Sequence, residues 1–195
     1  MKRLVLTTAL VLPLGVLIAK KFRQRAGQEG TMTRRDLMIT WLDNAYAMET
    51  GLVHTLQSHA QDARDFPQLQ ARIQQHVEET RRHADLVKTC IVRLGGSTSG
   101  LKSGMAAVTG KAQGVAMRPA QDKVVKNSLA DSSAEQLEIS SYKALIAAAQ
   151  DLGDQETVSM CQRILEDEEG MAHFLDENLP AIVSQTISTM PATAS

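Results

Sequence analysis

The amino-acid sequence predicts an all-α fold, an up-and-down four-helix bundle with a long crossover between its second and third helices. Three observations carry that expectation. Apolar residues make up 43% of the 195-residue chain and aromatic residues only 3%, a balance that suits packed helices better than sheets rich in β-branched and aromatic side chains. Apolar positions recur at helical spacing through four long stretches, as one buried face of a helix requires. Helix-breaking residues at Phe66-Pro67, Gly95-Gly96 and Gly153-Asp154 separate those stretches.

The first helix is expected from Arg34 to Ala63, with Leu37, Trp41, Ala45, Met48, Leu52 and Leu56 on one stripe. It ends where Pro67 disfavours helical geometry in the residue before it. The second, Gln68 to Leu94, carries Ile73, Val77, Thr80, Ala84, Val87, Ile91 and Leu94 in alternating steps of four and three, the seam of a packed bundle helix. Gly95-Gly96 stops it. Residues 97–120 read as a crossover with one short helix around Met105–Val108. The third helix runs from Ala120 to Leu152, and the fourth from Gln155 to Asn178, with a stop near Pro180. The domain is thus expected over 32–180, with 181–195 a loose tail. Two antiparallel hairpins joined by one long crossover is the wiring of ferritin-like bundles.

Net charge is −1 but uneven: the first thirty residues carry +5, leaving about −6 on the rest. An acidic domain of this kind excludes nucleic acid as the expected partner. Leu4–Ala19 is uncharged and flanked by Lys2-Arg3 and by Lys20-Lys21-Phe22-Arg23-Gln24-Arg25. Sixteen helical residues span about 24 Å, short of a hydrocarbon core of about 30 Å, though flanking lysines can snorkel. Residues 1–31 therefore have three readings: a weak anchor holding a cytoplasmic domain to the inner membrane, an extension upstream of a start at Met32, or a cleaved signal. Cys90 and Cys161 are in no metal-ligand spacing and read as reduced core thiols.

The chemistry lies in acids and histidines that fall on or beside the apolar stripes. Glu49 continues the line of Ala45, Leu52 and Leu56; Glu79 sits beside Thr80, with His76 before it and His83 after; Glu135 and Glu138 lie near Ile139 and Tyr142; Glu168 and Glu169 follow Leu165, with His173 four positions on. Taken singly, each is ordinarily a boundary residue reaching water. His54 and His59 read as surface or capping residues, and Glu78 and Asp167 as solvated neighbours. Together they place a carboxylate on every helix, and an unpaired buried carboxylate costs several kcal/mol. The bundle solution to that cost is a dinuclear metal site, built from a Glu on each of two helices and Glu-x-x-His on each of the others. Here the spacing is Glu79…His83 and Glu169…His173, at i+4, which still leaves both side chains about 40° apart on one face. The expected ligand set is Glu49, Glu79, His83, Glu135, Glu138, Glu168, Glu169 and His173.

Several ordered motifs resemble the YciE/YciF-type ferritin-like proteins, over roughly residues 35–180: Trp41-Leu42-Asp43-Asn44-Ala45-Tyr46-Ala47-Met48-Glu49, His76-Val77-Glu78-Glu79-Thr80-Arg81-Arg82, Val124-Val125-Lys126-Asn127, Glu138-Ile139-Ser140-Ser141-Tyr142 and Glu168-Glu169-Gly170-Met171-Ala172-His173-Phe174-Leu175. That family is similar to rubrerythrin and bacterioferritin in fold and is associated with bacterial stress responses. The resemblance implies Glu49, Glu79, Glu138 and Glu169 as inward carboxylates. The family often has Gln where this chain has His83, and a histidine where it has Gln136, so one ligand is gained and one lost.

The function expected is a stress-associated protein with a dinuclear iron or manganese site and peroxide or iron(II)-oxidation chemistry, assembled as a homodimer. The rival is a non-catalytic scaffold whose inward acids pair with Arg81, Arg82, Lys143 or water. If Leu4–Ala19 is an anchor, cells expressing the full chain will hold it in the membrane fraction and a chain starting at Met32 will be released; equal release of both would remove the anchor reading.

Overall fold

The computed structural model describes residues 31–97 and 122–190. Among the described residues, the unit that begins at Arg34 has four α-helices, α1 (Arg34–Asp62), α2 (Pro67–Arg93), α3 (Lys123–Asp151) and α4 (Gln155–Ser188), with a 3₁₀ turn (Ala63–Asp65) after α1. No strand occurs among the described residues. The leader around Leu4–Ala19 and the crossover helix expected near Met105 lie outside the described residues. Among the described residues, no helix is long and apolar enough to cross a membrane.

Local chemistry sets the ends. Pro67 opens α2, where its missing N–H costs nothing. Gly95 and Gly153 take positive φ, 80° and 70°, and each ends its helix in a Schellman motif. Gly96 N donates to Ile91 O and Gly95 N to Val92 O; Asp154 N donates to Ala149 O and Gly153 N to Gln150 O. The Asp154 carboxylate then caps α4, accepting from Thr157 N at 3.2 Å.

α1 packs along α2 and α3 along α4, while α1 against α3 and α2 against α4 join the hairpins. The core has two apolar clusters. One gathers Met38, Leu42, Val87, Ile91, Leu145, Val158 and Ile164 among others. The other gathers Leu56, Leu69, Ile73, Val77, Met171, Leu175 and Ile182. The first draws on the start of α1 and α4 and the end of α2 and α3, so α2 and α3 run parallel, as a crossover between them requires.

Two expectations need correction. On α1 the buried row is Met38, Leu42, Ala45, Glu49, Leu56 and Ala60, whereas Leu37 and Trp41 are 36% and 40% exposed. Both rows share Ala45 and Leu56, and the helical period alone leaves them one position apart. The facing core of α2 and α3 decides. Likewise α4 does not stop near Pro180 but runs through it to Ser188. One backbone hydrogen bond is lost at the proline, but Ile182 is buried in the second cluster and Gln185 Nε2 donates to Asp65 O at 2.9 Å. Those contacts hold the last turns to the α1–α2 corner. Leu42→Ala is expected to destabilise the bundle by about 2–5 kcal/mol and Leu37→Ala by less than about 1 kcal/mol. Thermal or urea unfolding of the two variants checks the assignment, and equal losses would contradict it.

Candidate metal centre

Between the two apolar clusters lies a polar layer. Glu49 on α1 falls between Ala45 and Leu56, His76 and His83 on α2 between Ile73 and Val87, Glu135 and Glu138 on α3 before Tyr142, and Glu168 on α4 between Ile164 and Met171. All six are at most 2% exposed. The three-and-four spacing that buries the neighbouring apolar residues buries these as well.

The layer divides into two overlapping sets. Donor atoms of His76, Glu135, Glu138 and Glu168 all lie within 4.8 Å of one another, and so do those of Glu49, His83 and Glu168. Glu168 belongs to both: its Oε1 is 2.8 Å from His83 Nδ1 and its Oε2 3.4 Å from His76 Nε2. His76 Nε2 is also 3.2 Å from Glu135 Oε1, and His83 Nδ1 3.7 Å from Glu49 Oε2. Tyr142, fully buried, donates its hydroxyl to Glu49 Oε1.

Each imidazole is held from behind by a carboxylate outside the sets. His76 Nδ1 lies 3.0 Å from Glu79 Oε2. Glu79 in turn accepts from Arg72 at 2.9 Å and Gln75 at 2.7 Å. His83 Nε2 lies 3.0 Å from Asp167 Oδ2, whose side chain is 45% exposed. A carboxylate behind a histidine fixes its tautomer and aims the other nitrogen, as around bound metals.

Seven buried polar atoms here make no hydrogen bond of good geometry and meet one another only at ion-pair distance: Glu49 Oε2, His76 Nε2, His83 Nδ1, Glu135 Oε2, Glu138 Oε1 and both oxygens of Glu168. Native interiors seldom leave such groups unsatisfied, and they converge on two sets with a shared carboxylate. The residues present therefore fit a pair of divalent ions: four carboxylates offer four negative charges, and the donors are oxygen with added imidazole, the chemistry of iron or manganese.

The electrostatics agree. Burial pushes the Glu138 carboxyl well above its usual range, and the charges of Glu168, Glu49 and Glu135 push it further. Burial likewise raises Glu135 to about 7, against the pull of His76, and raises Glu49 against the pull of His83. Burial works to lower His76 and His83, but their carboxylate neighbours outweigh it and raise them to about 9 and about 10. The His76 hydrogen bond leads the contacts that lower Glu79 to about 2. Without metal, protons do the neutralising.

Five of the eight residues expected as ligands, Glu49, His83, Glu135, Glu138 and Glu168, come together from all four helices. Three do not. Glu79 stands behind His76 and reaches neither set. Glu169 and His173 face outward, where Glu169 pairs with Lys143 at 2.8 Å and His173 with Glu177 at 3.2 Å. The inward row of α4 runs Ile164, Glu168, Met171, Leu175, and residues one position away point about 100° off it. His76, which lay outside the expected set, joins the first group of donors. Its signal was the seven-residue step to His83, which puts both on one face of α2. Asp167, read as a solvated neighbour, instead backs His83.

Residues 33–188 match the family described as a domain of unknown function, DUF892. The chain belongs to the DUF892 family. A protein of Xanthomonas campestris pv. campestris is 33% identical, with a TM-score of 0.67 over 80% of this chain and 96% of that one. The E. coli stress protein YciF shares the fold at 18% identity and TM-score 0.59, over 79% and 99% of the two chains. The bacterioferritin of Desulfovibrio desulfuricans, described with a diiron site, shares it at 22% identity and TM-score 0.62, over 83% and 94%. This DUF892 chain therefore has the ferritin-like fold that its motifs suggested.

The metal-free protein should show a definite pH profile. His76 and His83, raised from 6.5, give stability that is full below about pH 6.5 and lost as pH rises through 9 and 10. Glu135, raised from 4.5, favours the fold at low pH and loses that contribution between 4.5 and 7. Glu79, lowered from 4.5, contributes above 4.5 and loses its contribution as pH falls towards 2. Thermal midpoints in chelator should peak near about pH 5 and fall steadily towards pH 9. A midpoint that is flat or rising across that range would contradict the assignment.

Proposed function

We propose that this protein is a stress-associated ferritin-like protein that binds two divalent ions, iron or manganese, in the central layer. The observation that carries the reading is the convergence of seven unsatisfied buried atoms on two sets sharing Glu168. One set would use His76, Glu135, Glu138 and Glu168, the other Glu49, His83 and Glu168. When bound, such a pair supplies redox chemistry suited to oxidising iron(II) or consuming peroxide.

The chain's own residues do the rest. Glu135 and Glu138 release their protons as ions enter, because a cation replaces the proton that burial had favoured. Glu79 and Asp167 hold the two imidazoles with one nitrogen aimed inward. Tyr142 fixes one oxygen of Glu49 and leaves the other to the site. The two apolar clusters close the layer at both ends, which keeps bulk water out and the local dielectric low.

The scaffold reading gave the inward acids Arg81, Arg82, Lys143 or water as partners, yet Arg81 pairs with Glu78 and Lys143 with Glu169, both at the surface, and Arg82 is exposed. That favours the metal reading. We also propose a homodimer, since Trp41, Leu37, Leu137 and Leu152 are exposed apolar side chains and two-fold assemblies are commonest.

Because Glu168 serves both sets, Glu168→Ala should abolish binding of both ions, whereas Glu169→Ala should leave two per chain. Calorimetric titration of the metal-free protein with manganese(II) or anaerobic iron(II) measures both. Two ions retained by Glu168→Ala, or loss on Glu169→Ala, would defeat the reading.

A further inference from the structure

The central donors are sealed from solvent, so ions need a route to them, and the structure offers one. Among the described residues, a surface cleft of about 430 Å³ between α2 and α4 is lined by Arg82, His83, Asp85, Leu86, Arg163 and Asp167. At about 30 Å³ per water, it has room for a cation with its hydration shell. His83 forms its inner wall. The imidazole has Nε2 on Asp167, the half-exposed carboxylate of the cleft, and Nδ1 on Glu168 in the central layer. The other histidine has no such outlet, because His76 is backed by Glu79, which Arg72 and Gln75 hold in turn. One side of the site is thus braced by protein, and the other ends at a single ring with a free-standing acid behind it.

We infer that the α2–α4 cleft is the port through which divalent cations reach the central layer, with Asp167 as the group that captures them. This inference rests on the dinuclear reading above. The mouth carries both signs of charge: Asp85 and Asp167 attract a cation, while Arg82 and Arg163, both exposed, repel it. Charge at the lip of a cleft acts on association rate by roughly 10- to 1000-fold, so the port makes two predictions of opposite sign.

The test follows uptake of cobalt(II) by the metal-free full-length chain, using the absorbance of the bound ion after rapid mixing at low salt. Asp167→Asn should slow uptake about tenfold, and Arg163→Gln should speed it. Asp176→Asn, an exposed acid further along α4, should match the parent. The parent, Arg163→Gln and Asp176→Asn should all end with two ions, and the differences in rate should shrink at high salt. Uptake by Asp167→Asn equal to that of Asp176→Asn, or slower uptake by Arg163→Gln, overturns the port while leaving the dinuclear site standing. A parent chain that takes up no cobalt overturns both.

Discussion

The structure turns on the cost of placing four carboxylates in the middle of a helical bundle with no lysine or arginine of the described residues among them. Glu49, Glu135, Glu138 and Glu168 are each at most 1% exposed, and their basic companions inside the layer, among the described residues, are His76 and His83. Desolvation of a carboxylate runs to several kcal/mol. Nothing in that layer recovers it except protons or cations. The apolar clusters on either side supply the stability that carries it, and they also fix its depth.

That constraint explains why the two histidines are backed differently. Imidazole nitrogens aimed inward must have their outer nitrogens satisfied, or the rings would rotate. Glu79 does this for His76 from within a network that includes Arg72, so the arrangement is rigid. Asp167 does it for His83 at the edge of a cleft, with no second partner among the described residues. An arrangement built only for stability would give both rings the rigid form. The asymmetry accords with a site that is closed on one side and approached from the other.

How much was legible in the sequence depended on whether periodicity was decisive. On α2 the row Ile73, Val77, Thr80, Ala84, Val87, Ile91 is unambiguous, and all of these residues are buried. On α1 two rows share Ala45 and Leu56, and spacing alone does not separate the row of Leu37 and Trp41 from the buried row of Met38 and Leu42. On α4 the choice between Glu168 and Glu169 was a choice between adjacent positions. The sequence reading kept both, Glu169 for its i+4 pairing with His173, whereas the apolar row Ile164, Met171, Leu175 accommodates only Glu168. The backing roles of Glu79 and Asp167 needed coordinates, because a ring nitrogen's partner depends on rotamers that spacing does not encode.

The central claim is that cations, rather than protons alone, neutralise this layer in the working protein. Its most direct test is elemental analysis of the full chain purified without added metal, paired with thermal unfolding before and after chelation. The account predicts close to two iron or manganese ions per chain and a lower midpoint once they are removed. A protein that is metal-free as purified, fully folded, and unchanged in midpoint when either ion is added would contradict it.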